Sequence, residues 1–266
     1  MFKLDYFLIG LMEIVSHIVQ GCTGFGATVV ATPVVVGLLG PKAGIPYGTI
    51  ITIPLLYIWT FLYWKDIQWK TCMKIVLIMM PGLLFGNYLF RTLDPTYAKI
   101  FIGAFVSCIA ISNIYKVFIK EPRDKAKAEK EGLVYKEAPD TTLKKIFRIC
   151  CLILGGVVHG AFQIGGSLIT VYTLSELKDK SQFRATMVMM WNFINAVNMY
   201  NQFSAGAYTA EVMNALVIGF PMAMFGFWVG DKIHHKINKE TFLKVVFVLL
   251  LIVGGDMFIR SLLILI

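Results

Sequence analysis

Two short glycine-containing segments interrupt apolar stretches of the chain and carry most of its candidate chemistry. Residues 20–28 read QGCTGFGAT and residues 159–167 read HGAFQIGGS, and the two align position for position, with Gly26 on Gly165. A break in a helix frees backbone N–H groups at the start of the next helix, where the positive end of the helix dipole also lies. Glycine lets a ligand approach those N–H groups closely. These segments, here called the first and the second break, therefore predict a site for a small anion.

Side chains that can donate hydrogen bonds lie within both breaks and would complete such a site. Glycines that serve only to let helices pack closely are the alternative interpretation. The residues predicted to bind substrate at the two breaks are Gln20, Gly21, Thr23, Gly24, Phe25, Gly26, His159, Gln163, Gly165, Gly166 and Ser167.

A stripe of asparagines follows the second break. Asn192, Asn195 and Asn198 are spaced three residues apart and so share one drifting helix face. Inside a membrane such a stripe faces either a cavity or another helix. We predict that Asn192 and Asn195 contact the substrate. Arg184, at the start of the same segment, is predicted either to attract the anion or to anchor the helix end.

A different chemistry is predicted for the first apolar segment, where Glu13 and His17 lie four residues apart on one helix face. A carboxylate beside a histidine within a membrane is a candidate proton relay. We therefore predict that this pair couples substrate movement to protons. The alternative is a structural role, in which Glu13 and His17 only satisfy each other's hydrogen bonds where their helix packs against a neighbouring one.

The composition places these residues in a membrane protein. The chain has 266 residues, is 57% hydrophobic and 15% charged, and has a mean hydropathy of +0.70. Its net charge of +9 is carried mostly by short loops between apolar segments, which fits membrane topology and not nucleic-acid binding. The sequence has no serine-hydrolase, Walker or zinc-protease motif and no C-x-x-C pair, so we expect no enzyme activity, metal site or cofactor.

The apolar segments predict an all-α integral membrane protein. Residues 4–39 would form about 54 Å of helix, too long for one crossing of about 30 Å, so two helices should meet at the first break. Residues 143–175 repeat this broken pair around the second break. Each pair is followed by three predicted transmembrane helices, which are residues 44–64, 73–90 and 97–118 in the first half and 185–203, 212–229 and 242–265 in the second.

A further sequence match suggests that the chain is one unit written twice, because PGLLFG at residues 81–86 aligns with PMAMFG at 221–226. We divide the chain into transmembrane repeat 1 (1–119), a charged linker (120–143) and transmembrane repeat 2 (144–266). A cytoplasmic linker places most of the 25 lysine and arginine residues inside, provided that each broken pair enters and leaves on the same side. Each half then crosses an odd number of times, which predicts inverted repeats in a multi-pass plasma-membrane protein with both termini outside.

Four segments resemble the TauE/SafE sulfite exporter family: QGCTGFGATVVATPVVV (20–36), HGAFQIGGSLITVYTL (159–174), FRATMVMMWNFINAVNMYNQFSAG (183–206) and FPMAMFGFWVGDKI (220–233). The resemblance covers nearly the whole chain apart from the linker. It implies a permease with a duplicated half that moves sulfite or a small organosulfur anion such as sulfoacetate. Gln163 departs from the family pattern, which often has a glycine at that position.

We therefore expect a secondary transporter that works by alternating access and has a small anion and the lipid bilayer as partners. The sequence is compatible with a homo-oligomer and does not specify one. The residues themselves indicate only a small anion, and the sulfur chemistry is what the resemblance implies. The alternatives are a transporter of a carboxylate or phosphonate, an anion channel with the breaks as its filter, and a membrane subunit that serves only another protein.

Overall fold

The fold is described from a computed structural model of the chain. It covers residues 4–120, 122–123, 141–177, 179–234, 248, 251–252, 255–256 and 258–264. The all-helical class predicted from the sequence is confirmed in these ranges, whereas most of the linker and half of the helix predicted at 242–265 lie outside them. The main helices are α1 (Leu4–Thr23), α2 (Ala27–Leu39), α3 (Pro41–Leu62), α4 (Trp69–Thr92), α5 (Pro95–Tyr115), α6 (Thr142–Phe162), α7 (Gly166–Glu176), α8 (Lys180–Ser204) and α9 (Ala210–His234).

Five of these helices, α1, α3, α4, α6 and α9, are long and apolar enough to cross a membrane. Helices α2 and α7 have 13 and 11 residues, or about 20 and 16 Å, and are too short to cross by themselves. Each is the returning arm of a hairpin with the helix before it, as the predicted broken pairs require. Helix α8 has 25 residues but is not among the five, because polar side chains recur along it. Protein neighbours on α3, α4 and α7 cover it.

Two closely packed helix pairs, α1 with α9 and α4 with α6, form the scaffold. Glycines bring the backbones into contact in both. A Cβ built on Gly156 of α6 would lie 2.6 Å from the carbonyl oxygen of Met79 on α4, and one on Gly230 of α9 would lie 2.5 Å from the carbonyl oxygen of Ile18 on α1. Small residues at a crossing allow this close approach within a membrane.

The contacts also define the directions of the helices. Gly10 of α1 meets Met222 of α9, and Gly21 of α1 meets Gly230, so these two helices run parallel. The same reasoning makes α4 parallel to α6 and to α8, and α8 antiparallel to α3. Matched in chain order, α1 to α4 each run opposite to their counterparts in α6 to α9. This is the pattern that inverted repeats require; the duplication and its orientation in a membrane stay predictions.

The register of the two scaffold pairs differs from the sequence match of residues 81–86 with 221–226. On α4, Gly82 and Gly86 contact Ile153 and Val157 of α6. On α9, the glycines that make the corresponding contacts, with Ile14 and Ile18 of α1, are Gly226 and Gly230. By these contacts Gly82 corresponds to Gly226, whereas the sequence match paired Gly86 with Gly226. The two registers therefore differ by four residues, about one helical turn. Backbone contact at glycine sets the crossing, whereas Pro81 and Pro221 impose no contact between helices.

Candidate functional site

The first break is a turn of three residues between α1 and α2. Gly24 and Gly26 have φ values of 81° and 98°, a left-handed conformation that suits glycine. Thr23 closes the turn locally, because its hydroxyl donates to the carbonyl oxygens of Val19 at 2.8 Å and Phe25 at 2.6 Å. No side chain caps the start of α2. Its first backbone N–H groups and the positive end of its dipole can therefore interact with a group in front of the helix.

The second break is tighter and contains no positive-φ glycine. Gln163 takes the left-handed conformation, with φ of 63°, and its N–H donates to the carbonyl oxygen of His159 at 2.9 Å. A Cβ on Gly165 would meet the backbone N of His159 at 2.9 Å, so a larger residue would push the hairpin apart. Helix α7 also begins without a side-chain cap. Both short helices therefore present uncapped N-termini.

The two breaks meet at one buried cavity, here called the central cavity. A Cβ on Gly166 of the second break would touch the ring of Phe25 from the first at 3.8 Å. The cavity volume is about 20 Å³, enough for about one water molecule. Its wall consists of Gln20, residues 25–29 at the start of α2, Thr52 of α3, His159, Gly166 and, from α8, Trp191 and Asn195.

The polar side chains of the wall include several atoms that lack a partner. His159 Nε2 lies 3.1 Å from Asn195 Oδ1, and the imidazole packs on the Trp191 indole with ring centroids 4.7 Å apart. Among the described residues, His159 Nδ1, Trp191 Nε1 and Gln20 Oε1 are buried without a hydrogen-bond partner. Buried polar atoms are normally paired, so three unpaired ones around one cavity support the predicted ligand site.

The other asparagines of the stripe turn towards neighbouring helices. Asn192 donates to Thr60 Oγ1 at 2.6 Å and to the carbonyl oxygen of Leu56 at 3.3 Å, both on α3. Asn198 accepts from Asn87 of α4 at 2.7 Å. These two asparagines therefore join helices, which was the alternative interpretation of the stripe, and Asn195 faces the cavity.

Arg184 lies behind the first break and outside the wall of the central cavity. Its Nη2 forms an ion pair with Asp231 Oδ1 of α9 at 2.8 Å, and its Nη1 donates to the carbonyl oxygen of Gly21 at 3.4 Å. The guanidinium carbon lies 4.0 Å from the ring centre of Trp59 and 4.5 Å from that of Tyr63. Arg184 is therefore compensated by Asp231 in the described conformation, and its attraction of an anion stays a prediction. The ion pair clamps α8 to α9.

Glu13 and His17 line a second, smaller cavity of about 10 Å³ beside the central one. Glu13 Oε2 accepts from the Ser16 hydroxyl at 2.9 Å and lies 2.9 Å from His17 Nδ1. His17 Nε2 has no partner among the described residues. Thr28 and Thr52 belong to the walls of both cavities, so a thin polar partition separates this pair from the two breaks.

The predicted substrate residues thus fall into two groups. Six of the residues named from sequence line the central cavity, namely Gln20, Phe25, Gly26, His159, Gly166 and Asn195. Outside its wall, Asn192 joins α8 to α3, and the residues that shape or brace the breaks are Gly21, Thr23, Gly24, Gln163, Gly165 and Arg184. Ser167 lies in the first turn of α7. The described residues hold no group of three His, Cys, Asp or Glu side chains suited to a metal ion.

Two polar lining residues lie outside both breaks and were missed by the sequence analysis, namely Trp191 and Thr52. Trp191 lies between Met190 and Asn192, next to the asparagine stripe, and its indole carries an N–H donor. Thr52 is on α3, far from either break in the sequence. A search for donors on every helix, and not only near the breaks, would have included both.

A helical membrane protein in which two short helices point their uncapped N-termini at one buried polar cavity has the design of a membrane transporter. The family model for "Sulfite exporter TauE/SafE" matches residues 6–257. The chain therefore belongs to the TauE/SafE sulfite exporter family, as the sequence resemblance indicated. Searches among curated proteins and solved structures gave no match.

Proposed function

We propose that this chain is a secondary transporter that moves a small sulfur-containing anion, sulfite or an organosulfonate, across the plasma membrane by alternating access. Family membership supports the substrate class. The observation that carries the proposal is the meeting of both uncapped helix N-termini at the central cavity, beside buried polar atoms without partners. These features suit an anion, which accepts hydrogen bonds from N–H groups and is stabilised by helix dipoles.

The size of the cavity supports alternating access. A space for about one water molecule cannot hold a sulfur oxyanion, so the site has no room for the substrate in the described conformation. The anion must enter through a movement that separates the helices around the breaks. Such movements, in which one bundle rocks against another around a central site, are general in transporters with inverted repeats.

Counterflow in proteoliposomes tests the proposal. Vesicles loaded with unlabelled sulfonate should accumulate external ³⁵S-labelled sulfonate transiently, and the rate should saturate. Asn195→Asp adds a negative charge to the cavity wall and should lower the rate at least about tenfold, since an uncompensated buried charge costs several kcal/mol. Asn201→Asp, the same change near the end of α8 and away from the cavity, should leave the rate unchanged. Equal counterflow in both variants would contradict the proposed site.

The same vesicles separate a transporter from a channel. A channel would let the label follow the imposed membrane potential, without saturation and without counterflow. Carboxylates and phosphonates added as competitors test the remaining alternative. If they compete as well as sulfonates, the sulfur specificity suggested by the family is absent.

We also propose that transport is coupled to protons through Glu13 and His17. The support is their close contact, the unpartnered Nε2 of His17 and the partition of Thr28 and Thr52 that their cavity shares with the central cavity. A proton on this pair would alter the electrostatic potential at the anion site across that partition. A relay of this kind needs a titratable pair beside the substrate, which this position provides.

Glu13→Gln tests the coupling. The variant should transport with a flattened pH dependence, and an imposed pH gradient should no longer drive uptake of label. Asp256→Asn is the matched control, because Asp256 also pairs with a basic residue four positions away, Arg260, but on an exposed surface. An unaltered pH dependence in Glu13→Gln would remove the coupling proposal and leave the transport proposal standing.

The orientation in the plasma membrane is a further proposal, with the linker at 120–143 in the cytoplasm and both termini outside. It rests on the distribution of lysine and arginine. Reporter fusions test it. Alkaline phosphatase, which folds outside, should be active when fused to the C-terminus and inactive when inserted in the linker. The reverse pattern would overturn the orientation.

A further inference from the structure

Among the residues that the structure describes, the wall of the central cavity has no side chain with a full charge. Its side chains are amides, hydroxyls, apolar groups, one indole and the imidazole of His159, with no Lys, Arg, Asp or Glu among the lining residues. Arg184, behind the first break, is already paired with Asp231 and packed against two aromatic rings. An anion in the cavity must therefore be balanced by dipoles and hydrogen bonds alone. Dipoles of this kind compensate one charge far better than two, because the cost of burying an ion rises steeply with its charge.

The unpartnered atoms of the wall are not all donors. The Trp191 indole N–H can only donate. His159 Nε2 faces the Asn195 oxygen, which can only accept, so the neutral imidazole carries its proton on Nε2 and offers Nδ1 as an acceptor. Gln20 Oε1 is a second acceptor without a partner. A bare dianion would meet the lone pairs of both acceptors, whereas a ligand that has a hydroxyl or an acidic proton can donate to one of them.

We propose that the central cavity selects a sulfur oxyanion that has a single negative charge and its own hydrogen-bond donor, bisulfite or a hydroxyalkylsulfonate, over a bare dianion. The proposal rests on the proposed transport function and narrows its substrate class. Trp191 acts as the donor to the oxyanion, and His159 or Gln20 accepts from the ligand. Both half-helix N-termini then face the single negative charge.

A matched set of two-carbon sulfonates tests the charge and the donor separately, by calorimetry on the full chain in detergent. Isethionate has one charge and a hydroxyl, ethanesulfonate has one charge and no hydroxyl, and sulfoacetate has two charges. Isethionate should bind most tightly. Ethanesulfonate should bind about 3- to 10-fold more weakly, the usual effect of one lost neutral hydrogen bond. Sulfoacetate, which also lacks a hydroxyl, should bind at least about 100-fold more weakly than isethionate. Its comparison with ethanesulfonate isolates the second charge, and sulfoacetate should bind at least about 10-fold more weakly than ethanesulfonate.

Sulfite itself provides a pH test, because bisulfite loses its proton near neutrality. The apparent affinity for total sulfite should fall as pH rises, in proportion to the bisulfite fraction. The protein groups that can titrate around the site are His159 in the wall, Glu13 and His17 behind the threonine partition, and the Arg184–Asp231 pair behind the first break. Isethionate keeps its charge throughout this range, so its affinity measures their contribution and corrects the sulfite curve.

Trp191→Phe removes the donor and keeps an aromatic ring against His159. Affinity for isethionate and for ethanesulfonate should fall about tenfold or more, because a hydrogen bond to a charged group is lost from both. Trp228→Phe, the same change on an exposed ring of α9, should leave both affinities unchanged. Equal losses in the two variants, or none in Trp191→Phe, would overturn the role of Trp191.

The outcomes separate this proposal from the proposed function. Sulfoacetate or thiosulfate binding as tightly as isethionate would overturn the charge selection and leave a sulfur-anion transporter in place. Ethanesulfonate binding as tightly as isethionate would overturn the donor requirement. If no sulfur anion binds while the folded protein is intact by circular dichroism, the proposed function fails, and the selectivity proposal fails with it.

Discussion

The two ends of helix α8 are closed by different chemistry. Near its start, Arg184 pairs with Asp231, which also accepts from the Tyr63 hydroxyl at 2.9 Å; we call these three residues the charged closure. Near its end, Asn198 accepts from Asn87 at 2.7 Å, and these two form the amide closure. Arg184 and Asn198 are about 14 residues, or about 21 Å, apart along the helix, and the central cavity lies between them.

The difference bears on how the two ends open under the proposed alternating access. Leaving one member of a buried ion pair without its partner costs about 3–5 kcal/mol, whereas losing one neutral hydrogen bond costs about 1 kcal/mol. The charged closure should therefore open only when water or the anion itself compensates the guanidinium. The amide closure opens at small cost. One scaffold of glycine-lined helix pairs thus carries an ion-sensitive closure at one end and a neutral one at the other.

The largest effect is expected from removing one member of the charged closure. Asp231→Asn leaves the Arg184 side chain, only 5% exposed, beside a neutral amide in place of a carboxylate, and should lower the unfolding free energy by about 3 kcal/mol. The Arg184→Met/Asp231→Leu double variant should recover most of this loss, because no charge remains unpaired. Chemical unfolding in detergent measures both.

The exposed pair of Asp256 and Arg260 supplies the control for the charged closure. Their side chains are 57% and 78% exposed, so Asp256→Asn should cost less than about 1 kcal/mol. A cost for Asp231→Asn that does not exceed this value would mean that solvent already screens Arg184. The two closures would then be energetically alike, and the comparison would fail.

An intermediate effect is expected at the glycine contacts on which both closures stand. Gly156→Ala forces a methyl group against the Met79 carbonyl of α4, and Gly230→Ala forces one against the Ile18 carbonyl of α1. Each should cost about 1–3 kcal/mol through separation of the helices. Gly37→Ala is the control, since a Cβ there meets nothing within 4 Å. Similar losses of unfolding free energy at Gly156 and Gly230 would indicate that the α4–α6 and α1–α9 pairs are equivalent. A loss at only one of the two glycines would show that they are not.

A smaller effect is expected at the amide closure. Asn198→Ala should cost about 1 kcal/mol, because Asn87 Nδ2 keeps its second acceptor, the carbonyl oxygen of Leu83 at 3.1 Å. Replacing both asparagines by leucine should be nearly neutral for stability. The same unfolding experiment as for Asp231 allows a direct ranking. An Asn198→Ala cost as large as that of Asp231→Asn would remove the proposed asymmetry.

The positions of the breaks could be predicted from sequence, but the directions in which many polar side chains turn could not. Clustered glycines within apolar runs too long for one crossing define α1, α2, α6 and α7 almost completely, since both signals are local. A helical spacing places Asn192 and Asn195 on one face, yet one bonds to α3 and the other faces the cavity. That choice depends on where α3 and α6 pack, which no local pattern encodes.

Ion-pair partners and helix registers could not be predicted from the sequence for the same reason. Asp231 lies in a basic segment near the end of α9, and nothing in its neighbourhood indicates that Arg184, 47 residues earlier, would reach it. The proline-based match of residues 81–86 with 221–226 gave a register one turn from the packed one, because glycine contacts set the crossing. Trp191 was missed because an indole counts as apolar in hydropathy, although its N–H is a donor.

The smallest contrast is expected between two tyrosines, Tyr63 of the charged closure and Tyr208, which follows α8. Tyr63 donates to Asp231 at 2.9 Å, and Tyr208, in the turn after α8, donates to Gln202 at 2.9 Å. Tyr63→Phe should cost somewhat more than Tyr208→Phe, both near 1 kcal/mol, because its acceptor is charged. Partial exposure of Tyr63 and Asp231 reduces the difference. Equal costs for Tyr63→Phe and Tyr208→Phe at low salt would show that solvent already screens the Asp231 carboxylate fully.

The pH dependence sharpens this last comparison. Burial raises the pKa of Tyr63, and its hydrogen bond to Asp231 raises it further; burial alone raises the pKa of Tyr208. A raised pKa in the folded state contributes stability below the ordinary tyrosine pKa of about 10, and this is lost as pH rises above it, because the unfolded chain ionises first. The cost of each Tyr→Phe change should therefore shrink above about pH 10. At Tyr63 it should also fall with added salt, which screens the carboxylate but not the amide of Gln202.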